Sequence, residues 1–105
     1  MFRLIILTAT ALLLWQGVSN AATLEDRGRE IASKSCAHCH QIDATGESKH
    51  PVAPPFRVLA QRWPLEQLEE ALAEGLVTGH PDMPEFIFQP DDIDALLAYI
   101  ASISK

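Results

Sequence analysis

Apolar residues fall on helical stripes at three places in the chain. Near the start of the first polar region, Leu24, Gly28, Ile31, Ala32 and Ser35 recur at three- and four-residue intervals, with Arg27, Arg29 and Glu30 off that line. This spacing predicts a helix over 24–35. Thr23 with Asp26 three residues on predicts a capping box to start it. A second stripe, Leu65, Leu68, Leu72 and Leu76, has Glu66, Glu69, Glu70 and Glu74 on the other side. Pro64 suits its first helical position and Gly75 its stop. The third stripe is Ile93, Leu96, Leu97 and Ile100, flanked by Tyr99. Pro90 begins that helix, and Asp91 and Asp92 complement its positive N-terminal end. A short helix is expected over 56–61. "FIF" (86–88) is too short to make a strand, so the fold class is all-α, with about three main helices in one domain.

Between the stripes lie two stretches without period. Residues 41–55, "QIDATGESKHPVAPP", are broken by Gly46, Pro51, Pro54 and Pro55; residues 77–90 carry two internal prolines. A structureless loop that long in so small a domain is usually functional. Phe56, Trp63, Val77, Phe86, Ile87 and Phe88 sit in these loops or at helix edges. Side chains of that size need something to pack against, and a large flat apolar cofactor would serve.

The first 21 residues break from this organisation. Arg3 precedes an apolar run from Leu4 to Trp15, followed by small residues ending "SNA". These are the parts of a secretory signal, with cleavage expected after Ala21. The domain division is therefore signal 1–21 and domain 22–105. The competing reading is a retained anchor, but about 12 apolar residues fall short of the roughly 20 a span needs. Cleavage removes only Arg3 among charged residues, leaving seven basic against 14 acidic residues, a net charge of −7. So acidic a chain does not seek nucleic acid or anionic lipid. Localisation is expected to be the periplasm, without stable membrane insertion once the signal is cut.

Chemistry is concentrated in "SKSCAHCHQI", residues 33–42, which holds both cysteines and two of the four histidines. Cys36, Cys39 and His40 spell C-x-x-C-H, the pattern of c-type haem attachment. Two thiols add to the two vinyl groups of the porphyrin and become thioethers. The histidine next to the second thiol is then held under the iron. Three other readings compete. A thioredoxin-like pair needs a βαβ pattern, which is absent. Zinc wants four ligands, obtainable only by adding His50 or His80 at irregular spacing. A disulfide between Cys36 and Cys39 would close a very small loop and leave His40 unexplained. Behind an export signal, haem is the reading adopted, with one covalent haem c as the cofactor. His38 and His50 are expected to be solvated.

With these residues the chain resembles the small bacterial class I monohaem cytochromes c over nearly all of residues 23–105. The resemblance implies the class I cytochrome c fold, with long loops wrapped around one covalent haem. It implies that Gly28 and Tyr99 mark a close crossing of the first and last helices. In "APPF", the carbonyl of Pro54 or Pro55 would accept a hydrogen bond from Nδ1 of the proximal histidine and orient it. Ala32 departs from the aromatic that many relatives carry at that position.

Met83, the one methionine after residue 21, lies on no apolar face. It sits between Asp82 and Pro84, in the loop where the resembling family carries its axial methionine. Met83 is thus the expected second iron ligand opposite His40, with His80 as its rival. Thioether ligation raises the potential. Arg57, Arg62 and Trp63 are candidates to meet the haem propionates, since buried carboxylates need donors. With both axial positions filled the iron shuttles an electron rather than binding substrate, so the chain reads as a one-electron carrier and not an enzyme. The alternatives are a haem subunit of a larger periplasmic oxidoreductase, or a haem sensor or enzyme with a labile Met83. The glutamates of 66–74 and the aspartates at 91, 92 and 94 point to a redox partner with a basic docking surface.

Overall fold

In the computed structural model of the protein, residues 22–75 and 81–104 are described. The signal expected over 1–21 and the rival ligand His80 lie outside them, as do Leu76 and Val77. Four helices follow in order: α1 (Leu24–Ser35), α2 (Phe56–Arg62), α3 (Leu65–Glu74) and α4 (Pro90–Ile103). No strand occurs among the described residues. The fold is the all-α class I cytochrome c arrangement expected from the sequence.

The capping box opens α1. Thr23 Oγ1 accepts from the Asp26 amide at 3.1 Å, and Asp26 Oδ2 accepts from the Thr23 amide at 3.1 Å. Two otherwise unpaired backbone donors are thereby satisfied. The stripe on α1 is buried only at Gly28 and Ala32; Leu24 is exposed and Ile31 half-buried. The reason is the manner of packing. A Cβ added to Gly28 would lie 1.9 Å from the Ala95 carbonyl oxygen and 2.7 Å from Tyr99 Cβ. The α1 and α4 backbones therefore touch, which only a residue without a side chain permits.

Helix α4 is the centre of the domain, packed against α1, α2 and α3. Its expected face, Ile93, Leu96 and Ile100, is buried, while Leu97 is half-buried. Ala95 and Tyr99 are also buried, Tyr99 to 5% exposure. As the resemblance implied, Tyr99 lies at the crossing with α1, facing Gly28, and there it joins the core beside the periodic stripe. Ala32, Ile42, Phe56 and Leu72 complete the cluster. Ala32 is fully buried, one helical turn beyond Gly28 and part of the core cluster.

One expectation needs correction at a helix end. Pro64 is the N-cap of α3, not its first helical residue, with an extended ψ of 144°. Both Gln67 and Leu68 nevertheless donate to its carbonyl, at 3.0 and 3.2 Å. Asp92 does more than complement the helix dipole, since it stands 3.6 Å from Arg27 of α1. Gly75 ends α3 as expected, at a φ of 82° that disfavours other residues.

Candidate haem site

The C-x-x-C-H segment is a turn grown directly out of α1. Cys36 caps the helix, its amide donating to the Ala32 carbonyl at 2.9 Å. The amides of Cys39 and His40 then return to the Cys36 carbonyl at 3.2 and 2.9 Å. This tight winding holds two thiols and an imidazole on one short stretch, fixed to the helix that crosses α4. Both cysteines are free thiols, each half-buried. Burial pushes the Cys36 thiol up to about 11. It is a neutral thiol in this setting, unlike the activated thiolate of a redox pair. His38, between them, is exposed as expected.

His40 is oriented from two sides. Its Nδ1 lies 2.7 Å from the Pro54 carbonyl. A carbonyl only accepts, so Nδ1 carries the proton and the lone pair resides on Nε2. Its ring lies against Phe56, centroids 5.5 Å apart. Of the two prolines left open by the sequence, Pro54 makes this bond; Pro55 is the N-cap of α2. The polar loop 41–55 is thereby structured. Gln41 accepts the Phe56 amide at 2.8 Å, and the Gln41 amide donates to Ser48 Oγ at 3.0 Å. Tyr99 Oη donates to the Ile42 carbonyl at 2.6 Å and accepts from Arg29 at 3.1 Å. Arg29 also binds Asp43 at 2.7 Å, and that hydrogen bond holds its guanidinium above the ordinary value.

His50 is not the solvated residue expected. Its ring Nε2 lies 3.1 Å from Asp82 Oδ2, and Val52 N–H donates to its Nδ1 at 3.1 Å. The first of these spans 32 residues and the second only two, and neither leaves a periodic signature in the sequence. Met83 itself is half-buried, next to Asp82 in the irregular segment before α4. Phe86 and Phe88 stack with centroids 5.6 Å apart, while Ile87 between them is 92% exposed. The three propionate candidates divide. Arg57 is half-buried and donates to the Gly46 carbonyl at 2.6 Å; Arg62 and Trp63 are exposed at the end of α2.

Free thiols at C-x-x-C spacing, followed by an imidazole whose Nδ1 is already engaged and whose Nε2 is left for iron, match what haem c requires. Among the described residues no three His, Cys, Asp or Glu side chains are gathered to hold a bare metal ion.

An all-α domain closed by its first and last helices, with this turn at its centre, defines a small class I c-type cytochrome. The cytochrome c family model matches residues 25–104, and the chain belongs to that family. Neither the curated proteins nor the solved structures gave a significant match. The cofactor is haem c, held covalently through the cysteine pair, and haem-based electron transfer is the activity the family brings. Among the described residues no helix is long and apolar enough to cross a membrane.

Proposed function

We propose that the protein is a periplasmic one-electron carrier, exported by a signal over 1–21 that is cut after Ala21, with 22–105 as the mature domain. Its haem is attached at Cys36 and Cys39 and ligated by His40 and Met83. The observation that supports this best is the His40 Nδ1–Pro54 hydrogen bond, because it leaves Nε2 as the one free ring nitrogen next to the attachment thiols. When bound, the haem supplies a reversible one-electron couple between ferric and ferrous iron. The chain's own residues hold His40 in one tautomer, keep water from the ligand side and present Met83, whose soft thioether favours the ferrous state. Arg57, Arg62 and Trp63 remain the groups proposed to meet the propionates, with Arg57 already partly engaged by Gly46.

The decisive test is substitution at the distal side. Met83→Ala lowers the reduction potential and admits carbon monoxide, whereas His80→Ala does neither; the opposite pattern establishes bis-histidine ligation. Mass spectrometry of the mature protein should give a chain beginning at Ala22 plus one haem that survives acid-acetone extraction. A bare or disulfide-bonded mass refutes covalent attachment.

The partner proposed is a redox protein with a basic docking surface. Glu66, Glu69, Glu70 and Glu74 are all exposed on α3, as are Asp91 and Asp94 on α4. Opposite charge steers such encounters and salt screens them, the Debye length falling from about 30 Å at 0.01 M to about 8 Å at 0.15 M. Electron transfer with the native partner should slow across that range in stopped-flow measurements. A rate that is flat or rises with salt means the acidic faces do not guide docking.

A further inference from the structure

We infer that His50 is a positioning residue for the iron's distal ligand, acting through Asp82 to tie the Met83 loop to the haem-attachment turn. This inference rests on the proposal that Met83 ligates iron. Four contacts of His50 carry it. Its backbone N–H donates to the Cys39 carbonyl at 3.1 Å, which fixes it to the motif itself. Its carbonyl accepts from Ala53 at 3.3 Å, immediately before the Pro54 whose carbonyl orients His40. Its Nδ1 accepts from the Val52 N–H at 3.1 Å. Its Nε2 faces Asp82 Oδ2 at 3.1 Å, one residue from Met83 and 32 residues away along the chain.

The Val52 contact decides what the ring can do. A backbone N–H can only donate, so Nδ1 is the ring's acceptor and the proton lies on Nε2. Nε2–H then donates to the Asp82 carboxylate. One imidazole therefore closes a turn on the His40 side and reaches across to the Met83 side, in a single tautomer. The side chain of His50 is 24% exposed and that of Asp82 65%. The anchored end is thus the more protected one, and the Met83 loop is the part being held. Without the tie, the segment 81–89 has no regular structure of its own to keep the thioether in place.

The two ring nitrogens can be separated by mutation. Asparagine at position 50 puts an acceptor near the Nδ1 position, keeping the Val52 turn, but falls short of Asp82. Glutamine puts an amide N–H near the Nε2 position and restores the reach. The test is carried out on the ferrous holoprotein, with carbon monoxide as the probe, well below the unfolding transition. His50→Asn and Asp82→Ala should each raise the carbon monoxide association rate about fivefold, equivalent to about 1 kcal/mol of lost closure. They should also weaken the ferric iron–thioether charge-transfer band. The double variant should raise the rate by less than the product of the two single effects, because both substitutions remove the shared contact while each residue also makes other interactions. His50→Gln should stay within about twofold of the parent. If Met83→Ala speeds carbon monoxide binding while His50→Asn and Asp82→Ala leave it unchanged, the tie is refuted and Met83 ligation stands. Additive effects of the two substitutions likewise refute a shared contact. If Met83→Ala itself changes nothing, the ligation proposal fails and this inference fails with it.

Discussion

The α1–α4 half of the molecule and the half built from α3 and the Met83 loop are held together by different means. In the first, backbones touch at Gly28, Tyr99 and Ile93 are buried, and Tyr99, Arg29 and Asp43 link both helices to the loop beyond the motif. In the second, Leu72 is the one buried residue of α3, and Ile87 projects almost wholly into solvent. The contrast is between a half closed by direct backbone contact and a half that adds Leu72 to the common core and is otherwise joined to the first by side chains, among them the His50–Asp82 pair.

Four experiments can break or sharpen this contrast. The largest effect belongs to Gly28→Val, whose Cβ would run into a backbone carbonyl that cannot swing away. Overpacking at a backbone contact should cost about 3 kcal/mol or more, read as a lower denaturation midpoint of the holoprotein. A melt like the parent's would mean that the helices are free to separate. Tyr99→Phe comes next. It leaves the buried Ile42 carbonyl without its donor and removes an Arg29 contact, for about 2 kcal/mol.

Smaller still is a pH effect confined to the chain before haem attachment. Burial raises the Cys36 thiol from 9.0 to about 11, so folding favours the protonated form. The associated stability is complete below about pH 9 and is lost as pH rises through about 11. Roughly 1 kcal/mol is expected for a half-buried side chain in contact with solvent. Urea titrations of the haem-free chain across that range should show the decline. The holoprotein should lack this contribution, because the thiol has become a thioether. The smallest effect is Ile87→Ser, which should stay within about 0.5 kcal/mol. A larger loss there would mean that the distal half closes over this side chain, and the contrast between the halves would weaken.

The same division governs how much could be read from the sequence. Helix α1, its capping box and the Pro90 start of α4 follow from local chemistry, and local chemistry is written in adjacent residues. The C-x-x-C-H turn is legible for the same reason. The apolar stripe alone leaves Tyr99 beside the buried face of α4, because a single stripe describes a helix covered on one side and α4 is covered on more than one; the family resemblance puts it at the crossing, where it lies. The choice of Pro54 over Pro55, and the bridging role of His50, depend on hydrogen bonds between loops. Such bonds follow from the closed fold and leave no period in the chain. Trp63, read as a candidate to meet the haem propionates, is 42% exposed at the C-cap of α2. Its amide makes the last helical hydrogen bond, to the Leu59 carbonyl at 2.9 Å, and its extended backbone before Pro64 ends the helix.

The crossing at Gly28 also sets a timetable. Arg29 and Tyr99, which meet there, are 70 residues apart in the chain. A contact between segments that distant forms late, because the long loop between them has to close first. For a chain exported before it folds, as proposed, the two thiols lie uncovered until α4 docks. Haem can therefore be joined before the crossing closes, and the last helix then packs over a junction already in place. A protein whose core waits for its final helix cannot bury its attachment site too early.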